Sequence, residues 1–207
     1  NHSNIVTLQH PLLEGDDLIA GYTQRYSGEG DEVTILSGDK DFTQLLGLPG
    51  TTLLNPDGGK NRTLLEQCGV DDAGYFMFEK CFRGDTGDNV LPALPRVRAA
   101  KLKKAWDGDQ FVMSELMNKT WSYQDPATEE IRVLEVSKMY KENTLLMNLF
   151  AQPEHIRQTI NDVLDHESVN HGKFNYFEFN KFLVKHDLKQ ISEKPTAFVE
   201  LLSGQKI

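Results

Sequence analysis

The sequence predicts an α/β fold, with a parallel-sheet core followed by a helical C-terminal half. Two strand-length runs, 32–37 and 51–54, lie early in the chain and alternate with segments of helical spacing. From about Asp71 onward strand signals nearly vanish, and apolar residues recur at helical intervals. Acidic residues gather where the early elements begin or end, and in an open α/β sheet ligands bind at the strand ends.

Leu12 to Tyr26 places Leu18, Ile19, Tyr22 and Tyr26 on a helical spacing and stops at Ser27-Gly28-Glu29-Gly30. The run Glu32-Val33-Thr34-Ile35-Leu36-Ser37 predicts a β-strand ended by Gly38. Phe42 through Leu48 predicts a short helix closed by Pro49-Gly50. Thr51 to Leu54, the turn residues Pro56-Asp57-Gly58-Gly59 and then Arg62-Thr63-Leu64-Leu65 predict a hairpin. Helices are expected near 71–82, 96–106, 109–118, 137–149, 153–166 and 176–186, with Ser122 to Thr128 a loop around Asp125-Pro126. A sheet that opens on a helix and holds one clear core strand is expected to have its first strands outside this chain.

At 207 residues the chain is long enough for one sizeable core with a helical extension. Its 39% hydrophobic and 26% charged content is ordinary for a globular protein. No apolar run approaches the ~20 residues a spanning helix needs, so no membrane insertion is expected. Cys68 and Cys81 form no C-x-x-C pair, so neither a zinc site nor a disulfide framework is expected, and a reducing cytoplasm fits best. The net charge of -9 is not the usual footprint of a nucleic-acid binder. Acidity concentrated around bound cations reverses the local sign, so distribution matters more than the sum.

Three acidic clusters stand out: Glu14-Gly15-Asp16-Asp17, Asp39-Lys40-Asp41 and Asp85-Thr86-Gly87-Asp88-Asn89. If the backbone stays extended past the strand, Asp39 and Asp41 project from one face while Lys40 points away. Glu14 and Asp16 point apart on a regular helix, so Glu14 is placed at or before its first turn, with Asp17 a further or outer oxygen. Gly84 and Gly87 allow tight turns that aim Asp85 and Asp88 inward. Hard oxygen donors select Mg²⁺ or Mn²⁺ over zinc. Helix capping and turn preference account for each cluster taken singly; the combination at element ends favours chemistry.

In these residues the sequence resembles the 5' nuclease superfamily that includes flap endonucleases, most closely its ribonuclease H branch from T-even-type phages. The pattern E-A-D-D is met by Glu14-Gly15-Asp16-Asp17, G-D-x-D-x-x-Q-L by Gly38-Asp39-Lys40-Asp41-Phe42-Thr43-Gln44-Leu45, and G-D-x-x-D-N by Gly84-Asp85-Thr86-Gly87-Asp88-Asn89. The similarity continues through Tyr140-Lys141-Glu142-Asn143 and the tail from Tyr176 to Leu188. Two N-terminal aspartates of the family have no counterpart here, and Val90-Leu91-Pro92-Ala93-Leu94-Pro95-Arg96 replaces a glycine-rich segment. The resemblance implies a PIN-like core whose C-terminal part is 1–89 and a helical DNA-binding region, 90–207, with a helix-three-turn-helix-like segment. There Arg96, Arg98, Lys101, Lys103 and Lys104 form the densest basic stretch, suited to phosphates, although a solvated basic helix explains it equally well.

Two-metal phosphodiester hydrolysis follows as the expected chemistry. Asp39, Asp41 and Asp85 are the candidate catalytic residues and with Asp88 would hold one cation, while Glu14 and Asp16 would hold another about 4 Å away. The resemblance implies 5'-3' exonuclease and flap endonuclease action on DNA and RNA·DNA in primer removal during phage-type replication. It also implies DNA with a 5' flap or 5' end as partner, possible contact with replication proteins, and a monomer. One alternative is a haloacid-dehalogenase-like phosphatase, since Asp39-Lys40-Asp41-Phe42-Thr43 also fits D-x-D-x-T; another is a catalytically silent DNA-binding fragment.

Overall fold

The computed structural model describes residues 5–28, 31–57, 62–167, 174–194 and 196–203. The chain divides into two compact units, one of residues 19–154 and one of residues 1–18 with 155–207. The first holds the sheet. Its β1 (Val33–Leu36) pairs in parallel with β2 (Thr51–Leu54), in the register Val33 to Thr51 through Leu36 to Leu54. The expected short helix between them is a 3-10 segment, Asp41–Gly47. Its Phe42 and Leu45 join Val33, Ile35, Leu53 and Ala20, the last from α1 (Gly15–Tyr26), in one buried apolar cluster.

The hairpin expected beyond β2 is not formed. Residues 58–61, which include the predicted Gly58-Gly59, lie outside the described residues, and the second arm is α2 (Leu64–Cys68). Thr63 caps that helix by accepting from the Glu66 N–H, and Gly69 closes it at φ 75°. This Thr-x-x-Glu start and glycine stop outweigh the hairpin signal of the turn residues before it.

Helix α3 (Ala73–Arg83) positions the candidate site, and its sequence presents three stripes. Tyr75, Phe78 and Phe82 pack into the main core with Leu102 and Ala105 of α4 (Ala99–Trp106), Leu116 of α5 (Gln110–Met117) and Val136 of α6 (Val136–Met147). Phe82 is fully buried, its ring 5.0 Å from Phe78 and 4.9 Å from Tyr140. Burial of one such side chain contributes about 2–3 kcal/mol. Met77 and Cys81 form a second stripe against Met147 of α6. Phe76, Glu79, Lys80 and Arg83 remain for the third, which lines a cavity. Packing thus joins α3 to elements on both sides of the 89/90 boundary that the sequence suggests on functional grounds.

The stretch read as a loop at 122–128 instead contains the end of β3 (Thr120–Gln124), which pairs antiparallel with β4 (Ile131–Glu135). Trp121 and Tyr123 alternate with exposed neighbours, and the Trp121 indole donates to the Ala93 carbonyl at 2.9 Å. The remaining predicted helices appear within a few residues of their expected limits. In the second unit α7 (Glu154–Glu167), α8 (Tyr176–Lys185) and α10 (Thr196–Ser203) supply the buried Ile160, Val163, Leu164, Leu183 and Leu202; α9 (Lys189–Ser192) is a single turn. No helix among the described residues is long and apolar enough to cross a membrane.

Candidate metal centre

Beyond β1 the chain turns instead of staying extended. Asp39 donates its N–H to the Ser37 hydroxyl at 3.1 Å, and its Oδ1 accepts from the Asp41 N–H at 2.9 Å. Lys40, between them, has right-handed helical angles, φ -79° and ψ -19°. The expected single face bearing both carboxylates is therefore replaced by an Asx turn, because a short aspartate side chain bonds readily to backbone two residues on. Asp41 opens the 3-10 segment with its carboxylate against Lys80 of α3, while Asp39 stays exposed on the turn.

A second tight loop follows α3. Gly84 has φ 69°, and a Cβ there would meet the Val90 carbonyl oxygen at 2.4 Å, so no other residue fits. Asp85 and Val90 exchange backbone hydrogen bonds of 2.9 and 2.7 Å, which close the loop that carries Asp88. The Asp85 Oδ1 accepts from the Gly87 N–H at 2.8 Å, and its Oδ2 lies 3.1 Å from the Lys80 Nζ. Asp41, Asp85 and Asp88 each present a carboxylate oxygen, all within 4.8 Å of one another.

Lys80 is the cation of this cluster, paired with Asp41 and Asp85, and sequence reasoning missed it. Burial works against its charged form, but the hydrogen bonds and attraction of Asp41 and then Asp85 outweigh this and raise its pKa. Burial likewise disfavours the Asp85 carboxylate; Lys80 and the N–H groups of Gly87 and Asp88 outweigh it and hold the group below the usual range. A cavity of about 440 Å³ adjoins the cluster, lined by Lys40, Asp41, Phe76, Lys80, Arg83 and Asp85 among others. Such a site can take a hard divalent cation beside a space large enough for part of a nucleotide.

Glu14, Asp16 and Asp17 belong to the other compact unit. Glu14 precedes α1, as expected, and its N–H donates to the Asp17 Oδ2 at 3.1 Å; Asp16 and Asp17 occupy the first helical turn. In the basic stretch, Lys101 pairs with Glu115 at 2.6 Å, and Lys103 pairs with Asp107 while approaching the Tyr75 ring at 5.8 Å. Arg96, Arg98 and Lys104 are exposed and have no ion-pair partner among the described residues. Leu102 packs inward fully, whereas Trp106 is 38% exposed, leaning on Phe78 and donating its indole N–H to Asp72 at 2.8 Å.

Comparison with known proteins bears on what this arrangement is. No family model matches the chain. It is 30% identical over 120 residues to the thermostable DNA polymerase I of Thermus filiformis, a match taking in 54% of this chain and 14% of that protein. It is also 30% identical over 99 residues to a 5'-3' exonuclease of Buchnera aphidicola, 45% of this chain and 32% of the relative. A mutant T5 5'-exonuclease shares the fold with a TM-score of 0.50 at 20% identity, covering 74% of this chain and 66% of that one.

The likeness in sequence to these relatives takes in 45% to 54% of this chain, and the likeness in fold 74% of it. The α/β, PIN-like architecture expected from the motifs is the fold observed. The chain spans only 14% to 32% of the length of the two curated relatives just described.

Proposed function

We propose that this chain forms the metal-binding and helical part of a divalent-metal-dependent 5' nuclease that hydrolyses phosphodiester bonds in DNA and RNA·DNA. The convergence of Asp41, Asp85 and Asp88 beside the cavity is the observation that carries this reading. These three carboxylates would hold one Mg²⁺ or Mn²⁺, with Asp39 in the adjoining turn and Glu14, Asp16 and Asp17 reserved for further oxygens and a second ion. Bound there, the metal would supply an activated water and stabilise charge on the leaving oxygen. The protein's own part is to fix the carboxylates in tight turns, to pair Asp41 and Asp85 with Lys80, and to hold Asp85 ionised.

In this reading residues 1–89 serve the metal core and 90–207 the DNA, through Arg96, Arg98 and Lys104 first and Lys101 and Lys103 after exchange of their ion pairs. The substrate is DNA with a 5' flap or 5' end, or an RNA·DNA hybrid, cut during primer removal in phage-type replication in the cytoplasm. Calorimetric titration with Mn²⁺ and cleavage of a labelled 5' flap test the reading together. Asp85→Asn and Asp41→Asn are each expected to weaken Mn²⁺ binding at least tenfold, by the measure of about 10–100-fold for far less direct changes. Unchanged titration in both variants would remove these residues from the site, and phosphorylation of Asp39 would favour a phosphatase.

A further inference from the structure

Two buried carboxamides tie both acidic loops to one short stretch of α6. Gln44, 1% exposed in the 3-10 segment, donates through Nε2 to the Asp41 carbonyl at 3.0 Å and the Met147 carbonyl at 3.2 Å. Its Oε1 accepts from the Leu149 N–H at 2.9 Å. Asn143, also 1% exposed, lies one turn earlier on α6. Its Nδ2 donates to the Cys81 carbonyl at 2.9 Å, in the last turn of α3, and to the Leu91 carbonyl at 2.8 Å. Leu91 adjoins Val90, the residue whose backbone closes the loop of Asp85 and Asp88.

We propose that Gln44 and Asn143 are positioning residues that make α6 a spacer, setting the gap between Asp41 and the Asp85–Asp88 loop and hence the size of divalent cation the cluster accepts. The inference rests on reading Asp41, Asp85 and Asp88 as ligands. Four helical residues rise about 6 Å, and a helix holds that distance far more rigidly than a loop does. Gln44 bridges three backbone groups and Asn143 two, where an unpaired carbonyl is costly, so neither loop shifts without breaking one of these bonds. A gap held in this way favours a small cation with ligand distances of about 2.1 Å over Ca²⁺, whose ligands stand at about 2.3–2.6 Å.

The test uses the 207-residue chain, Mn²⁺ titration and Ca²⁺ competition, each measured well below the thermal transition. Gln44→Met and Asn143→Ala remove the donors; Thr23→Ala removes another buried polar group, whose hydroxyl bonds the Ile19 carbonyl within α1. Gln44→Met and Asn143→Ala are expected to weaken Mn²⁺ about tenfold and to raise the affinity for Ca²⁺ relative to Mn²⁺, with Thr23→Ala unchanged in both. Wild-type affinity and wild-type Ca²⁺ discrimination in the two carboxamide variants would overturn the spacer, whatever happens to their melting temperatures. Equal weakening in Thr23→Ala would overturn it as well, by tracing the loss to general instability. If Asn143→Ala fails to fold, Gln44→Met decides alone. Absence of Mn²⁺ binding in the wild-type chain would instead overturn the ligand reading beneath the spacer.

Discussion

Lys80 pairs with both Asp41 and Asp85 at the place where a divalent cation would stand. An ammonium there stabilises the metal-free chain and competes with the metal. Lys80→Met is therefore expected to cost the metal-free protein about 2 kcal/mol, as for loss of hydrogen bonds to charged groups, while tightening Mn²⁺ binding. Thermal melts with and without Mn²⁺ measure both effects; weaker Mn²⁺ binding in the variant would show that Lys80 assists the cation. The acidic clusters were legible in the sequence because carboxylates at strand and helix ends carry a recognisable pattern. Lys80 was not, since one basic residue on an amphipathic helix looks like any solvated lysine until the fold brings Asp41 to it. The Asx turn at Asp39 was missed because alternation describes an extended chain and ignores side-chain bonds to backbone.

Among the elements, α3 depends on a cap that also bears charge. Asp72 accepts from the Tyr75 N–H at 3.0 Å and from the Trp106 indole at 2.8 Å, which joins the start of α3 to the end of α4. Burial opposes its ionised form, but the Tyr75 N–H, the Trp106 indole and the Gly74 N–H outweigh it and lower its pKa. Its folded pKa lies below the unfolded one, so its stabilisation is complete above the unfolded carboxyl value near 4 and is lost as pH falls through the folded value. Asp72→Asn is expected to flatten this acid limb of the stability profile, read by urea unfolding at several pH values; an unaltered acid limb would show that the charge contributes nothing. The helices were legible through their periodicity. The β3–β4 hairpin was overlooked although Trp121 and Tyr123 alternate with polar residues, because the strands are short and Asp125-Pro126 dominates the reading. The hairpin expected over 51–65 gives way to α2 because the turn residues from Pro56 signal a reversal and carry no information about the Thr63 and Glu66 cap that follows.

For the molecule as a whole, a net charge of -9 confines attraction for a polyanion to the few places where cations are free of partners. Within the basic stretch, Glu115 and Asp107 already engage Lys101 and Lys103, which leaves Arg96, Arg98 and Lys104 as its exposed members without an ion pair. Reversing these three to Glu is expected to lower affinity for duplex or flap DNA of any sequence and to reduce the salt slope by roughly two to three, one unit for each lost phosphate contact. An equal slope in the variant, measured by fluorescence anisotropy across a salt series, would show that this surface does not meet DNA. The backbone groups that Gln44 and Asn143 join lie far apart in sequence, from Asp41 to Leu149. Contacts of such long range form slowly, because a long loop must close before they repay its entropy. During synthesis all three clustered carboxylates therefore leave the ribosome before the helix that fixes their separation. A nascent chain ending before Asn143 would hold Asp41, Asp85 and Asp88, already drawn together by Lys80, without the helix that braces their loops, so the fine discrimination between cations would wait for α6 to dock.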